Sequence, residues 1–146
     1  MPETESLHDI VDRVDHMIHE ELSGTKRAFR LGRSRLYGID STGITRLVGE
    51  REDPYELLAL HIRPTNACAA VLVVTGWAAP IGEDGSLACR PSKHSAKVRI
   101  RITVGVSDDG IVSVMRRADK PHEVTRSDER GIGMLPDALE CWWTLE

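Results

Sequence analysis

The run from Lys97 to Arg117 (Lys-Val-Arg-Ile-Arg-Ile-Thr-Val-Gly-Val-Ser-Asp-Asp-Gly-Ile-Val-Ser-Val-Met-Arg-Arg) constrains the fold more than any other stretch of the chain. Its even positions from Val98 to Val106 are all apolar, whereas Lys97, Arg99, Arg101, Thr103 and Gly105 hold the odd ones. A side-chain period of two is what a strand with one face in a core demands. Asp108-Asp109-Gly110 then supplies a turn into a second strand, so the segment reads as a β-hairpin. An Asp109-Gly110 two-residue turn would put Val112 and Val114 on the outer face. A three-residue loop, Asp108-Asp109-Gly110, instead pairs Val106 with Val112, Val104 with Val114 and Ile102 with Arg116. It keeps the valines together and gives Gly110 the left-handed position of a G1 bulge. That register sets Arg101 opposite Arg117, where like charges repel unless an anion or an acidic group lies between them. Lys97, Arg99, Arg101, Arg116 and Arg117 are thereby a candidate basic surface.

The flanking sequence points to an α+β domain. Leu7, Ile10, Val11, Val14, Met17, Ile18 and Leu22 recur at helical spacing, behind a Ser6/Asp9 pair that resembles a capping box. Arg35–Ile39 and Ile44–Val48 read as strands around the turn Asp40-Ser41-Thr42-Gly43. Asp53-Pro54 is a helix start, with Leu57, Leu58 and Leu60 behind it and Pro64 beyond its end. Cys68–Thr75 is a short valine-rich apolar run, the mark of a central strand buried on both faces. Residues 81–96 form a loop, Asp119–Gly133 carries no clear pattern, and a last short helix falls near Pro136–Leu145. The expected fold is a single domain over 1–146, with about five antiparallel strands and N-terminal, middle and C-terminal helices. This order of elements resembles that of profilin-like and roadblock-like domains.

At 146 residues, with 40% hydrophobic and 29% charged side chains, the chain is long enough to bury a core without metal or disulfide support. Three cysteines, Cys68, Cys89 and Cys141, include no close pair, which points to a reducing compartment. No apolar run reaches membrane-spanning length and the first residues are acidic, so the expected location is the cytoplasm. The net charge of −4 conceals a segregation, with acidic ends around basic stretches at Thr25–Arg51 and Arg90–Lys120.

Complete catalytic motifs are missing. There is no phosphate-binding glycine loop, no Gly-x-Ser-x-Gly elbow and no deaminase-type His-x-Glu with a Cys-x-x-Cys. His16, His19 and Glu20 have a spacing that suits zinc but match no metalloprotease motif, so neither metal nor cofactor is expected. Cys68 reads as a small core residue, and Cys89, beside Arg90 and Lys93, as an acidified thiol with no base at fixed spacing. The site candidate is built from distant pieces: His61 and Arg63 at the end of the middle helix, Trp77 after the central strand, and Arg90, Ser92 and His94 in the long loop. On one rim of the sheet these would suit an anion, with arginine for bidentate contact, histidine as acid or base and tryptophan as a stacking wall. The tandem Trp142-Trp143 near the chain end calls for docking onto the domain or onto a partner subunit.

Gly76-Trp77, Arg90-Pro91-Ser92-x-His94 and the basic strand Lys97-Val98-Arg99-Ile100 together resemble a set of uncharacterised actinobacterial proteins across roughly residues 54–118. The resemblance implies no activity. The function expected from the residues is that of a protein-interaction or regulatory module, its partner a protein or a second copy in a homodimer. Two alternatives stand beside it. One is a hydrolase or transferase acting on an anionic substrate. The other is nucleic-acid binding through the basic hairpin, which the scarcity of aromatics (4%) and the negative net charge disfavour.

Overall fold

The computed structural model describes residues 5–23, 29, 31–78, 98–127 and 134–145. The elements run α1 (Leu7–Ser23), β1 (Ser34–Asp40), β2 (Thr45–Arg51), α2 (Pro54–Leu60), β3 (Ala67–Ala78), β4 (Val98–Ser107), β5 (Gly110–Arg117), β6 (Lys120–Ser127) and α3 (Met134–Thr144). The strands form one six-stranded sheet in the order β2-β1-β3-β4-β5-β6, with every neighbouring pair antiparallel. The fold is therefore the expected α+β arrangement of an antiparallel sheet with three helices. The sixth strand lies in the stretch that carries no pattern. It is an edge strand made of Lys120, Pro121, His122, Glu123 and other largely exposed residues, so no buried face imprints a period on it.

The starts of α1 and α2 have local causes. The Ser6 hydroxyl accepts from the Asp9 amide at 3.1 Å at the head of α1. At α2, Asp53 Oδ1 accepts from the Tyr55 amide at 2.9 Å, and Pro54 fills the first helical position. Both faces of the sheet are covered. On one, Val11, Val14 and Ile18 of α1 pack on Tyr37, Ile39, Val71, Val73, Val112 and Val114. On the other, Leu57 and Leu58 of α2 and Leu139, Trp142 and Trp143 of α3 pack on Leu36, Ala70, Leu72, Val104 and Val106. The central strand β3 alternates between the two cores, which is why its sequence is apolar throughout.

Covering both faces also overturns the expected hairpin register. β4 pairs with β5 as Ser107↔Gly110, Val106↔Ile111, Thr103↔Val114 and Arg101↔Arg116. The loop is Asp108-Asp109, and Gly110 takes the positive φ of 135° that glycine adopts without penalty. Val112 and Val114 thus lie under α1 with Thr103 and Gly105, whereas Val104 and Val106 face α3. The expectation of a single apolar face fails because Arg101, Thr103 and Gly105, at odd positions of β4, are buried. Arg101 is 0% exposed and its partner is Arg116, itself 6% exposed, rather than Arg117. α1 lies close over Gly105, where a Cβ would stand 2.2 Å from Val11 Cγ2.

A second correction concerns Cys68, which is exposed rather than a core residue. The β1–β3 pairing steps from Ile39↔Ala69 to Asp40↔Ala67 and skips it, and pairing with β4 begins only at Ala69.

Candidate functional site

Two places gather polar side chains with a defined geometry. The first is the junction of α2 and α3. α2 ends at His61, whose extended backbone (φ −125°, ψ 147°) leads toward Pro64. The imidazole rests on the backbone of β2, close enough that a Cβ on Gly49 would stand 2.4 Å from Nε2. Trp142 Nε1 donates to the His61 carbonyl at 2.7 Å, and Trp143 Nε1 donates to Asp108 Oδ1 at 3.0 Å. The Arg63 guanidinium lies 3.5 Å from the centre of the Trp143 ring, donates to the Trp143 carbonyl at 3.1 Å and comes within 3.8 Å of Asp108. The tryptophan pair is therefore buried in its own chain, and its polar handles tie α3 to the α2–β3 and β4–β5 connections.

Beside these ties lies a cleft of about 650 Å³ lined by Leu58, His61, Ile62, Arg63, Trp142 and Leu145, among others. That volume is in the range of ligand-sized pockets. Its rim is apolar: Ile62 is 88% exposed and Leu145 70%, with Leu60 nearby in sequence at 54%. Single exposed apolar residues are ordinary, but a group of them around a concavity marks a contact surface.

The second place is under α1. Arg116 donates from Nε and Nη2 to Asp15 Oδ2 at 2.9 and 2.8 Å, and from Nη1 to the Pro121 carbonyl at 2.8 Å. Asp15 is 2% exposed, so the ion pair is buried. Arg101 donates from Nη1 to the Phe29 carbonyl and from Nη2 to His19 Nδ1, both at 3.1 Å, and its guanidinium lies 4.9 Å from the Phe29 ring centre. Among the described residues Arg101 Nε, Thr103 Oγ1 and Asp15 Oδ1 have no hydrogen-bond partner. His19 meets His122 of β6 edge-on at 5.6 Å. Burial lowers the Arg101 pKa, and burial with the two guanidiniums lowers that of His19.

Of the site expected from the sequence, the described residues include His61, Arg63 and Trp77. His61 and Arg63 are neighbours at the start of β3, but Trp77 lies at its far end, roughly 33 Å away along an extended strand. The reason is direction: a helix end that leads into a strand and the end of that same strand sit on opposite rims. Trp77 packs instead with Arg99, whose guanidinium lies 4.1 Å from its ring centre. Arg90, Ser92, His94, Lys97 and Cys89 lie outside the described residues. Of the candidate basic surface, Arg101 and Arg116 are buried under α1, and Arg117 is exposed and paired with Asp119 at 2.8 Å. His16 lies 3.5 Å from Glu20 on the exposed side of α1, whereas His19 turns toward Arg101. Among the described residues no three His, Cys, Asp or Glu side chains converge on a metal-sized site, and no helix is long and apolar enough to cross a membrane. Sequence reasoning missed the buried Asp15–Arg116 pair. The signal available was the unfavourable facing of two arginines, Arg101 and Arg117, in the three-residue-loop register, which calls for an acidic partner. No protein family, no characterised protein and no solved structure matches this chain.

Proposed function

We propose that the protein is a non-enzymatic interaction module that pairs with a second copy of itself through the face formed by α2 and α3. The observation that carries this reading is that a projecting apolar residue, Ile62, stands on the rim of the cleft it also lines, with Leu145 beside the same concavity. A two-fold interface needs a knob and a hole on one surface, so that each copy fills the other. Burying an isoleucine or leucine side chain fully contributes about 1.5–3 kcal/mol, and a two-fold contact counts each one twice.

The alternatives have weaker support. An enzyme built on His61 and Arg63 would rely on an imidazole packed on the β2 backbone at Gly49 and a guanidinium already engaged in holding α3. Nucleic-acid binding would rely on arginines of which two are inside the protein. Sedimentation velocity across micromolar to millimolar concentrations tests the proposal. The wild-type protein shifts from monomer to dimer with rising concentration. Ile62→Asp and Leu145→Asp, both exposed in the monomer, keep the wild-type circular dichroism and sediment as monomers. A wild-type protein that stays monomeric throughout, or variants that dimerise like it, overturns the proposal.

A further inference from the structure

We propose that the seat of α1 is a proton-operated latch, in which uptake of a proton by His19 loosens α1 from β4 and β5. The proposal is independent of self-association, since α1 covers the opposite face of the sheet.

The geometry fixes the protonation state that the docked helix requires. A guanidinium has donors and no acceptor. The contact between Arg101 Nη2 and His19 Nδ1, at 3.1 Å, therefore needs a lone pair on Nδ1 and a neutral ring with its proton on Nε2. A protonated imidazole carries N–H groups at both nitrogens, so the same contact would set one donor against another. Among the described residues no carboxylate is hydrogen-bonded to Arg101: Asp15 attracts it but gives Oδ2 to Arg116. Arg101 is 0% exposed, its Nε is unpartnered among the described residues, and Nη1 donates to the neutral carbonyl of Phe29.

The surrounding charges act in the same direction. Arg101 of β4, Arg116 of β5 and His122 of β6 face the ring and oppose a positive charge on it. Asp15, one turn earlier in α1, favours that charge but is already held by Arg116 at 2.8 Å. Adding a proton would set three cations against this one carboxylate among the described residues. His19 is half-buried and touches the exposed His122, so a proton reaches it from solvent without prior unfolding.

The direction of the pH effect follows by linkage. Burial first, then the two arginines and His122, holds the folded-state pKa of His19 below 6.5. The folded protein therefore binds fewer protons at His19 than the unfolded chain in mildly acidic solution. The stability of the docked state is complete above 6.5 and falls as pH drops from there through the folded-state value, with a slope of at most one proton. What the loosened helix uncovers is the apolar row Val71, Val73, Val112 and Val114.

Hydrogen exchange of the α1 backbone amides, corrected for intrinsic rate, tests the latch between about pH 8 and pH 5, the range in which histidine titrates. In the wild type, α1 loses protection on acidification. His19→Gln offers Arg101 an amide oxygen and takes up no proton, so its α1 protection is flat across the range. His16→Gln, on the exposed side of α1, retains the wild-type pH dependence. Unchanged α1 protection in the wild type, or a wild-type pH dependence in His19→Gln, overturns the proposal. Should His19→Gln fail to fold, the His19 ring resonances of the wild type decide: a titration midpoint below 6.5 supports the latch, and one at or above it overturns it.

Discussion

Arg101 of β4 and Arg116 of β5 stand directly opposite each other in the sheet. Alternation along β4 puts arginine where an isolated strand would face water, and two directly opposed arginines look like a repulsive pair on a surface. α1 instead covers both, bringing Asp15 to Arg116 and His19 to Arg101. The carboxylate takes one guanidinium and a neutral ring takes the other, so repulsion is relieved without a second buried acid. A buried ion pair costs much desolvation, and removing one partner strands the other. Arg116→Met should therefore destabilise the protein by about 3–5 kcal/mol, whereas the double variant Asp15→Leu, Arg116→Met should recover most of that loss. Urea unfolding of the two single variants and the double measures it. A single variant costing less than about 1 kcal/mol, the range of a solvated surface pair, would show that the pair is hydrated.

At the scale of elements, what the sequence reveals depends on whether an element's neighbours leave a local imprint. α1 and α2 are legible because a one-sided stripe in the first and a Pro behind an Asp cap in the second are written within a few residues. β3 is legible because burial on both faces leaves it apolar throughout. β6 is not, since an edge strand with Pro121 and several exposed side chains has no buried period to display. Both edges are blunted, β2 by the irregularity opposite Leu36 and Tyr37 and β6 by the one at Arg116 and Arg117. For the site, residue types were readable and distances were not. His61 and Arg63 are neighbours in sequence and in space, but grouping them with Trp77 required knowing which way β3 runs. The two tryptophans were recognisable as a docking device, whereas their acceptors, the His61 carbonyl and Asp108, are remote in sequence. Trp143 carries most of that docking, being 1% exposed, stacked by Arg63 and hydrogen-bonded to Asp108. Trp143→Ala should cost about 3–5 kcal/mol. Trp143→Phe, which keeps the ring stacking and loses the N–H, should cost less. Denaturant midpoints compared at constant slope give both values. An alanine variant within about 0.5 kcal/mol of wild type, as at an ordinary surface position, would mean that α3 is held elsewhere.

For the molecule as a whole, the decisive fact is that two cores share one sheet. Ala69, Val71 and Val73 of β3 belong to the core under α1, and Ala70 and Leu72 of the same strand belong to the core under α2 and α3. Melting one face would leave β3 half-exposed and its backbone ladder without support from that side, so neither core has a stable half-state at neutral pH. This predicts a single unfolding transition, even when the destabilising change is confined to one face. Ile18→Ala removes a fully buried side chain from the α1 core, and Leu139→Ala removes one from the α3 core. Each should cost about 2–5 kcal/mol. With Trp77 replaced by Phe in every variant, Trp142 and Trp143 are the remaining tryptophans and report through fluorescence on the α3 face, while far-ultraviolet circular dichroism reports on all helices and strands. In Ile18→Ala the fluorescence midpoint should move with the dichroism midpoint, although the substitution lies on the opposite side of the sheet from both tryptophans. In Leu139→Ala the two should again coincide. Fluorescence that unfolds at the wild-type midpoint in Ile18→Ala, while dichroism is lost earlier, would show α1 leaving a sheet that persists without it.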